Sequence, residues 1–300
     1  MLGPDDPIAV RPRPGGTATW WNTVPVRLRI DLAYDGTGFH GWARQPGLRT
    51  VQGDLEDALD TVLRVSGTTS TVAGRTDTGV HARGLVLHVD VDDARLATVP
   101  GRGRDTPLEA VLRRLNGILA NDVRLTAVRE AAPGFDARFS ALWRRYTYRI
   151  ADHVEASDPL QRGHVLFWPR PLDDERMNEA AALLLGEHDF AAFCRKREGA
   201  TTIRSLVELR CSRDPVGMLV LDVRADAFCH SMVSSLTGCL MAVGEGLHYP
   251  EWAADVLTGR RRDPGVRVAR AHGLTLEQVG YPSDDELAAQ AVRARVVRTL

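Results

Sequence analysis

Lysine is almost absent from this chain of 300 residues: among 38 basic side chains, Lys196 is the only one that is not arginine. A GC-rich coding sequence produces that bias unaided. Its chemical consequence stands either way, because planar guanidinium forks suit phosphates and base faces. A net charge of one sign is also lacking. The formal charge is −1, which excludes a global attraction for polyanions and leaves any nucleic-acid binding to arginines gathered on one face. Cysteine is scarce: Cys194, Cys211, Cys229 and Cys239 form no C-x-x-C pair and stand at no ligand-like spacing from histidine. Buried thiols in a reducing compartment are expected of them rather than a metal site. Long apolar runs are missing too, none approaching the ~18 residues of a membrane helix. The opening stretch "MLGPDDPIAVRPRPGGTATWW" carries acids and prolines where a secretory signal needs an apolar block. It predicts a disordered tail over 1–24 and a cytoplasmic protein.

What is present is enough apolar material, 44% of residues, for a full core. Val26, Leu28, Ile30 and Leu32 alternate as a strand with one buried face, and Val51, Leu55, Ala58, Leu59, Val62 and Leu63 form a helical stripe. Thr71 to Ala73 reads as extended, Leu85 to Val91 as a strand, Leu108 to Leu119 as a helix and Val123 to Val128 as a strand. The pattern recurs after Arg144. "RRYTYRIAD" alternates, "DERMNEAAALLLG" is helical with Gly186 as a stop, "LVELRCS" and "MLVLDVRADAF" pair as strands, and "HSMVSSLTGCLMAVG" is an apolar helix. A short helix follows over Trp252 to Leu257. Strands mixed with helices twice over predict an α+β protein of two similar halves meeting along a shared sheet. The division expected is an N-terminal half over 25–130, a C-terminal half over 131–282 and a helical tail over 283–300.

Directly after the first strand, "GTGFHG" (Gly36 to Gly41) satisfies the G-x-G-x-x-G dinucleotide fingerprint. That fingerprint needs its last glycine to lead into a helix. Here Pro46 and Gly47 fall where the helix should run, and the next one begins near Thr50. A tight glycine turn presenting Phe39, His40 and Trp42 is expected instead, with no nucleotide cofactor.

The stretch "GRTDTGVHARG" (Gly74 to Gly84) sets Arg75 and Asp77 in a turn of small residues. An Asp beside glycine is ordinarily an Asx turn or a helix cap. Three features favour a reagent. Arg75 is a cation two residues away, Gly74 and Gly79 bracket the pair as if for close approach, and no His or second acid is spaced as a proton-relay partner. A lone ionised carboxylate suits nucleophilic attack better than general acid–base work. His81, His230 and Cys229 invite a Cys–His nucleophile, but no orienting acid accompanies them, and that reading is set aside.

The segments "YDGTGFHGWARQ", "TVQGDLEDAL", "AGRTDTGVHARG", "FDARFSALWRRYTYRI" and "ADAFCHSMV…GCLMAVGEG" occur in that order between about Val26 and Pro282. Together they closely resemble the tRNA pseudouridine synthase A family. The resemblance implies a pseudouridine synthase fold of two pseudosymmetric halves, with a shared central antiparallel sheet flanked by helices. It also implies a homodimer, no metal or organic cofactor, and isomerisation of uridines 38, 39 and 40 in the anticodon stem-loop of tRNA. By the same resemblance Asp77 is the catalytic nucleophile, Tyr146 stacks on the flipped uracil, and Arg75 contacts backbone phosphate or orders the displaced strand. Arg144, Arg145, Arg195, Lys196 and Arg197 are candidate phosphate contacts.

Two positions depart from the family. Its members read Met-Val-Arg where this chain has Met232-Val233-Ser234, and the resemblance assigns that arginine to the catalytic aspartate as its ion-pair partner. A serine supplies neither fork nor charge. Ala43 stands where glutamine is common. The alternative implied is a tRNA-binding or folding-helper protein with weakened catalysis, unless another cation reaches Asp77.

Overall fold

Period-2 alternation builds the first strand, and a change of period at Thr50 ends it as a pattern. The Thr50 hydroxyl accepts from the Gly53 N–H at 3.3 Å and caps the helix that follows. The computed structural model describes residues 25–102, 104–195 and 201–296; the predicted tail over 1–24 lies outside them. The strands are β1 (Val26–Tyr34), β2 (Ser70–Val72), β3 (His81–Val91), β4 (Val123–Glu130), β5 (Trp143–Ala151), β6 (Leu166–Phe167), β7 (Gly186–Asp189), β8 (Ile203–Arg213), β9 (Leu219–Ala225) and β10 (Leu274–Gly280). The helices are α1 (Val51–Leu63), α2 (Asp93–Thr98), α3 (Pro107–Ile118), α4 (Asp174–Ala182), α5 (Met232–Gly244), α6 (Trp252–Gly259) and α7 (Leu287–Arg293). Among the described residues no helix is long and apolar enough to cross a membrane.

The strands form one sheet in the order β4-β1-β3-β10-β5-β9-β8-β7, with β2 paired to β3 and β6 to β5. Neighbours run antiparallel except at β3–β10 and β5–β6, which are parallel. A single transverse row shows how the layers lie. Tyr34, Ala82, Leu276, Tyr146, Val223 and Leu209 face one another across six adjacent strands. All six are buried. They share one face of the sheet. Of the helices, α3 packs against β4 and α1, and α4 against β8 and α5.

Two sequence expectations are corrected here. The helix read through to Gly186 ends at Ala182. Gly186, with φ +109, instead opens β7. The four cysteines are not all thiols: Cys194 and Cys229 are joined as a disulfide, their Cα atoms 5.7 Å apart. Cys211 and Cys239 are free and buried, and burial pushes both thiols up to about 12.

One buried ion pair holds the second half together at its edge. Arg213 grips Asp152 with both arms, at 2.9 Å each, and the Leu172 N–H donates to the same carboxylate at 2.8 Å. Burial opposes ionisation of Asp152, but the Arg213 fork, the Leu172 N–H and His153 overcome it and hold the carboxyl well below its usual range. The stability this contributes is therefore complete above the unfolded value, about pH 4, and is lost as pH falls below it. Asp152→Asn is expected to cost about 1–3 kcal/mol at neutral pH, because it removes the buried charge to which Arg213 and the Leu172 N–H donate, while Arg213 keeps Asp174 at 3.1 Å as a counter-charge. In urea unfolding across pH, the gap between parent and variant should narrow below about pH 4; a pH-independent gap would contradict the assignment.

Candidate functional site

The loop from β2 to β3 carries Asp77 and is stitched down along its length. Thr76 accepts the Trp42 N–H at 3.0 Å, and the Gly79 N–H reaches the Phe39 carbonyl at 3.4 Å. The Tyr34 and Thr76 hydroxyls meet at 2.7 Å. At the far end His81 Nδ1 accepts the Gly36 N–H at 3.0 Å, which leaves its Nε2 to donate to the His272 carbonyl at 3.1 Å. His81 is thus committed to structure.

The glycine turn predicted from "GTGFHG" is present, and its purpose is packing beneath this loop. Asp35 caps a single 3₁₀ turn over Gly36–Gly38. Phe39 and Trp42 are not presented to solvent as expected but are 2% and 1% exposed. A Cβ on Gly36 would fall 2.1 Å from the Val80 carbonyl oxygen. Gly41, at φ +88, lies directly under Thr76 and Asp77. Gly36→Ala is expected to destabilise the fold by about 1–3 kcal/mol through this overpacking. The check is the urea midpoint, and an unchanged midpoint would mean that the loop is not seated on the turn.

Among the described residues no hydrogen bond reaches the Asp77 carboxylate from its own turn. In an Asx turn or cap the carboxylate is spent on a backbone N–H two or three residues on. This one is free and 47% exposed. Beside it, His230 Nε2 stands 3.4 Å from Asp77 Oδ1. Tyr146, on β5, is 7% exposed, with the Phe228 ring edge-on at 5.1 Å. Burial first, and the nearby Asp77 charge second, push the Tyr146 phenol far above its ordinary value, so it stays protonated and neutral.

The arginines separate into different uses. Arg75 is exposed, and among the described residues it makes no ion pair with Asp77. Arg144 is corrected from a phosphate contact to an internal tie. The residue is 8% exposed, and its guanidinium donates to the carbonyls of Ala73 (3.1 and 2.6 Å), Asp226 (2.7 Å) and Arg138 (2.8 Å). Arg145 alternates onto the opposite sheet face from Tyr146 and stands beside Arg224 on the next strand. Arg195 is exposed, and its backbone N–H donates to the His230 carbonyl at 3.0 Å. Lys196 and Arg197 lie outside the described residues. Ser234 is buried in the first turn of α5, its carbonyl accepting the Ala269 N–H at 2.9 Å.

His230 is the residue that sequence reasoning missed at Asp77, having weighed it only beside Cys229. That pairing is unavailable, because Cys229 is bonded to Cys194. No sequence spacing could reveal the contact, since Asp77 and His230 belong to different halves of the sheet. Among the described residues no three His, Cys, Asp or Glu side chains gather as metal ligands would.

The site thus offers a carboxylate that its own turn does not use, near a neutral, buried tyrosine. Comparison with known proteins gives the family. The profile of a family described as "tRNA pseudouridine synthase" matches residues 180–282. A protein named tRNA pseudouridine synthase A from Frankia casuarinae is 59% identical over 273 residues, covering 91% of this chain and 96% of its own length. Its namesake from Streptomyces griseus is 58% identical over 92% of this chain and 95% of its own. The one from Mycobacterium leprae is 48% identical over 91% and 96%. The chain is a pseudouridine synthase by class, which makes it an isomerase. Within that class it belongs to the tRNA pseudouridine synthase A family.

Proposed function

We propose that this protein converts uridine to pseudouridine at positions 38, 39 and 40 of tRNA, in the anticodon stem-loop, with Asp77 as the reacting carboxylate. The observation that carries the reading is the freedom of the Asp77 carboxylate: its turn is held by other groups, through bonds to Trp42, Phe39 and Tyr34. The reaction breaks the C1′–N1 bond of the nucleoside and forms a C1′–C5 bond. The proton on C5 leaves to solvent, and N1 gains one, so nothing is consumed. A carboxylate serves by attacking C1′, by adding to C6 or by taking a ribose proton, and each route requires an ionised Asp77.

The target nucleotide has to leave its stack to reach this side chain. Tyr146 is the buried aromatic whose phenol feels the Asp77 charge, and it is the residue proposed to stack on the flipped uracil. Its neutral phenol puts no competing anion there. Because Asp77 is 47% exposed in the free protein, water exclusion during the reaction is assigned to the RNA itself. Arg75, exposed and without an ion pair among the described residues, is proposed to take backbone phosphate, with Arg195, Lys196 and Arg197 as further contacts. Family likeness extends the proposal to a cytoplasmic homodimer.

The test is tritium release from tRNA labelled at uracil C5, since forming the new carbon–carbon bond expels that hydrogen. Release from positions 38, 39 and 40 supports the reading. A protein that binds tRNA and releases none would act as an RNA folding helper instead.

A further inference from the structure

We propose that His230 is the positioning residue for Asp77, holding its carboxylate through Nε2 in the orientation that reacts. This rests on the reading that Asp77 performs the chemistry. Among the described residues, His230 is the only basic side chain within 4.0 Å of that carboxylate, at 3.4 Å. The 3.4 Å approach is a proximity and not a formed hydrogen bond in the free protein. An imidazole with its proton on Nε2 is able to donate there, charged or neutral, once a small rotation of either half-exposed side chain aligns the pair. Contacts of this length in a free enzyme tighten when substrate closes the site.

The placement of His230 is enforced from several sides. Its carbonyl accepts the Arg195 N–H at 3.0 Å, and its neighbour Cys229 is bonded to Cys194. The next residue, Ser231, adopts φ +62, a left-handed conformation unusual for a non-glycine residue, and this reversal turns the chain into α5. Phe228, two residues earlier, is fixed edge-on against Tyr146. One buried guanidinium governs both partners: Arg144 binds the carbonyls of Ala73 and Asp226, which lie four residues before Asp77 and four before His230. The geometry of the pair is thus set across the two halves of the sheet. His230 also resolves what Ser234 leaves open, because the donor at Asp77 comes from the loop before α5 and not from the helix.

Since both side chains are half-exposed, at 47% and 44%, an incidental surface pair is the competing account, and such pairs contribute little. Turnover separates the two. His230→Ala should lower kcat in the tritium assay about 100-fold, as loss of one preorganised donor does, while KM and the tRNA Kd stay within about threefold. His230→Gln, whose amide N–H can occupy the Nε2 position, should recover most of that loss. An unchanged kcat in His230→Ala overturns the inference. So does a kcat loss that Gln fails to recover, or one matched by an equal loss of tRNA affinity, which would make His230 an RNA contact. Asp77→Asn, run alongside, keeps the two readings apart. If it retains turnover, the role of Asp77 fails and this inference with it. If it is inactive while His230→Ala is fully active, only the role of His230 fails. A parent without turnover overturns both.

Discussion

Asp77→Asn is expected to reduce turnover by at least about four powers of ten, a loss typical of removing the reacting group from a covalent mechanism. The substitution preserves shape and removes charge and nucleophilicity. Because the carboxylate accepts no bond from its turn, the loop does not depend on it. The turn is held by Trp42, Phe39, Tyr34 and Arg144. The half-exposed pair with His230 is worth no more than about 1 kcal/mol, so the urea midpoint should scarcely move. tRNA affinity should remain within about threefold, since phosphate contacts to arginine dominate RNA binding. The measurement is tritium release beside filter binding on the same preparation. Lost release with retained binding identifies the reacting group. Joint loss of stability and binding would return Asp77 to the role of a turn residue.

Arg144→Ala is expected to have the largest effect on folding of any single substitution at the site. The side chain places a charge in the interior with no carboxylate bonded to it among the described residues, and burial draws its guanidinium below the ordinary arginine value. What solvates it is three backbone carbonyls, those of Ala73, Asp226 and Arg138. Deleting it strands those carbonyls, each unsatisfied acceptor costing about 1–3 kcal/mol. Even at the low end of that range the three together come to about 3 kcal/mol before any cavity is counted, a large share of a typical stability of about 5–15 kcal/mol. A fall in Tm on the order of 10 °C follows. Arg144→Lys should recover only part of it, since an ammonium cannot bridge all three carbonyls at once. Thermal unfolding tests the point, and a Tm within about 2 °C of the parent in Arg144→Ala would show that the tie contributes little.

Much of this protein was legible from sequence because the responsible forces are local. The strand alternation at Val26, Leu28, Ile30 and Leu32 and the helical stripe from Val51 reappear as β1 and α1. Asp77 stood out through its glycine-bracketed turn. β10 was not legible: a register shift between Leu276 and Gln278 breaks its period of two, and its burial comes from the strands on either side. Nor could the sequence tell that Arg144 faces inward while Arg145 faces the other way, because both read equally as basic residues on a strand. Partner choice at Asp77 was likewise hidden. Sequence singled out the missing arginine at Ser234, whereas the approach of His230 depends on how the loop before α5 is anchored to Cys194 and Arg195. Periodicity and turn chemistry act within a few residues and can be read along the chain. Contacts between the two halves are decided by which strands become neighbours, and that is a property of the assembled sheet alone.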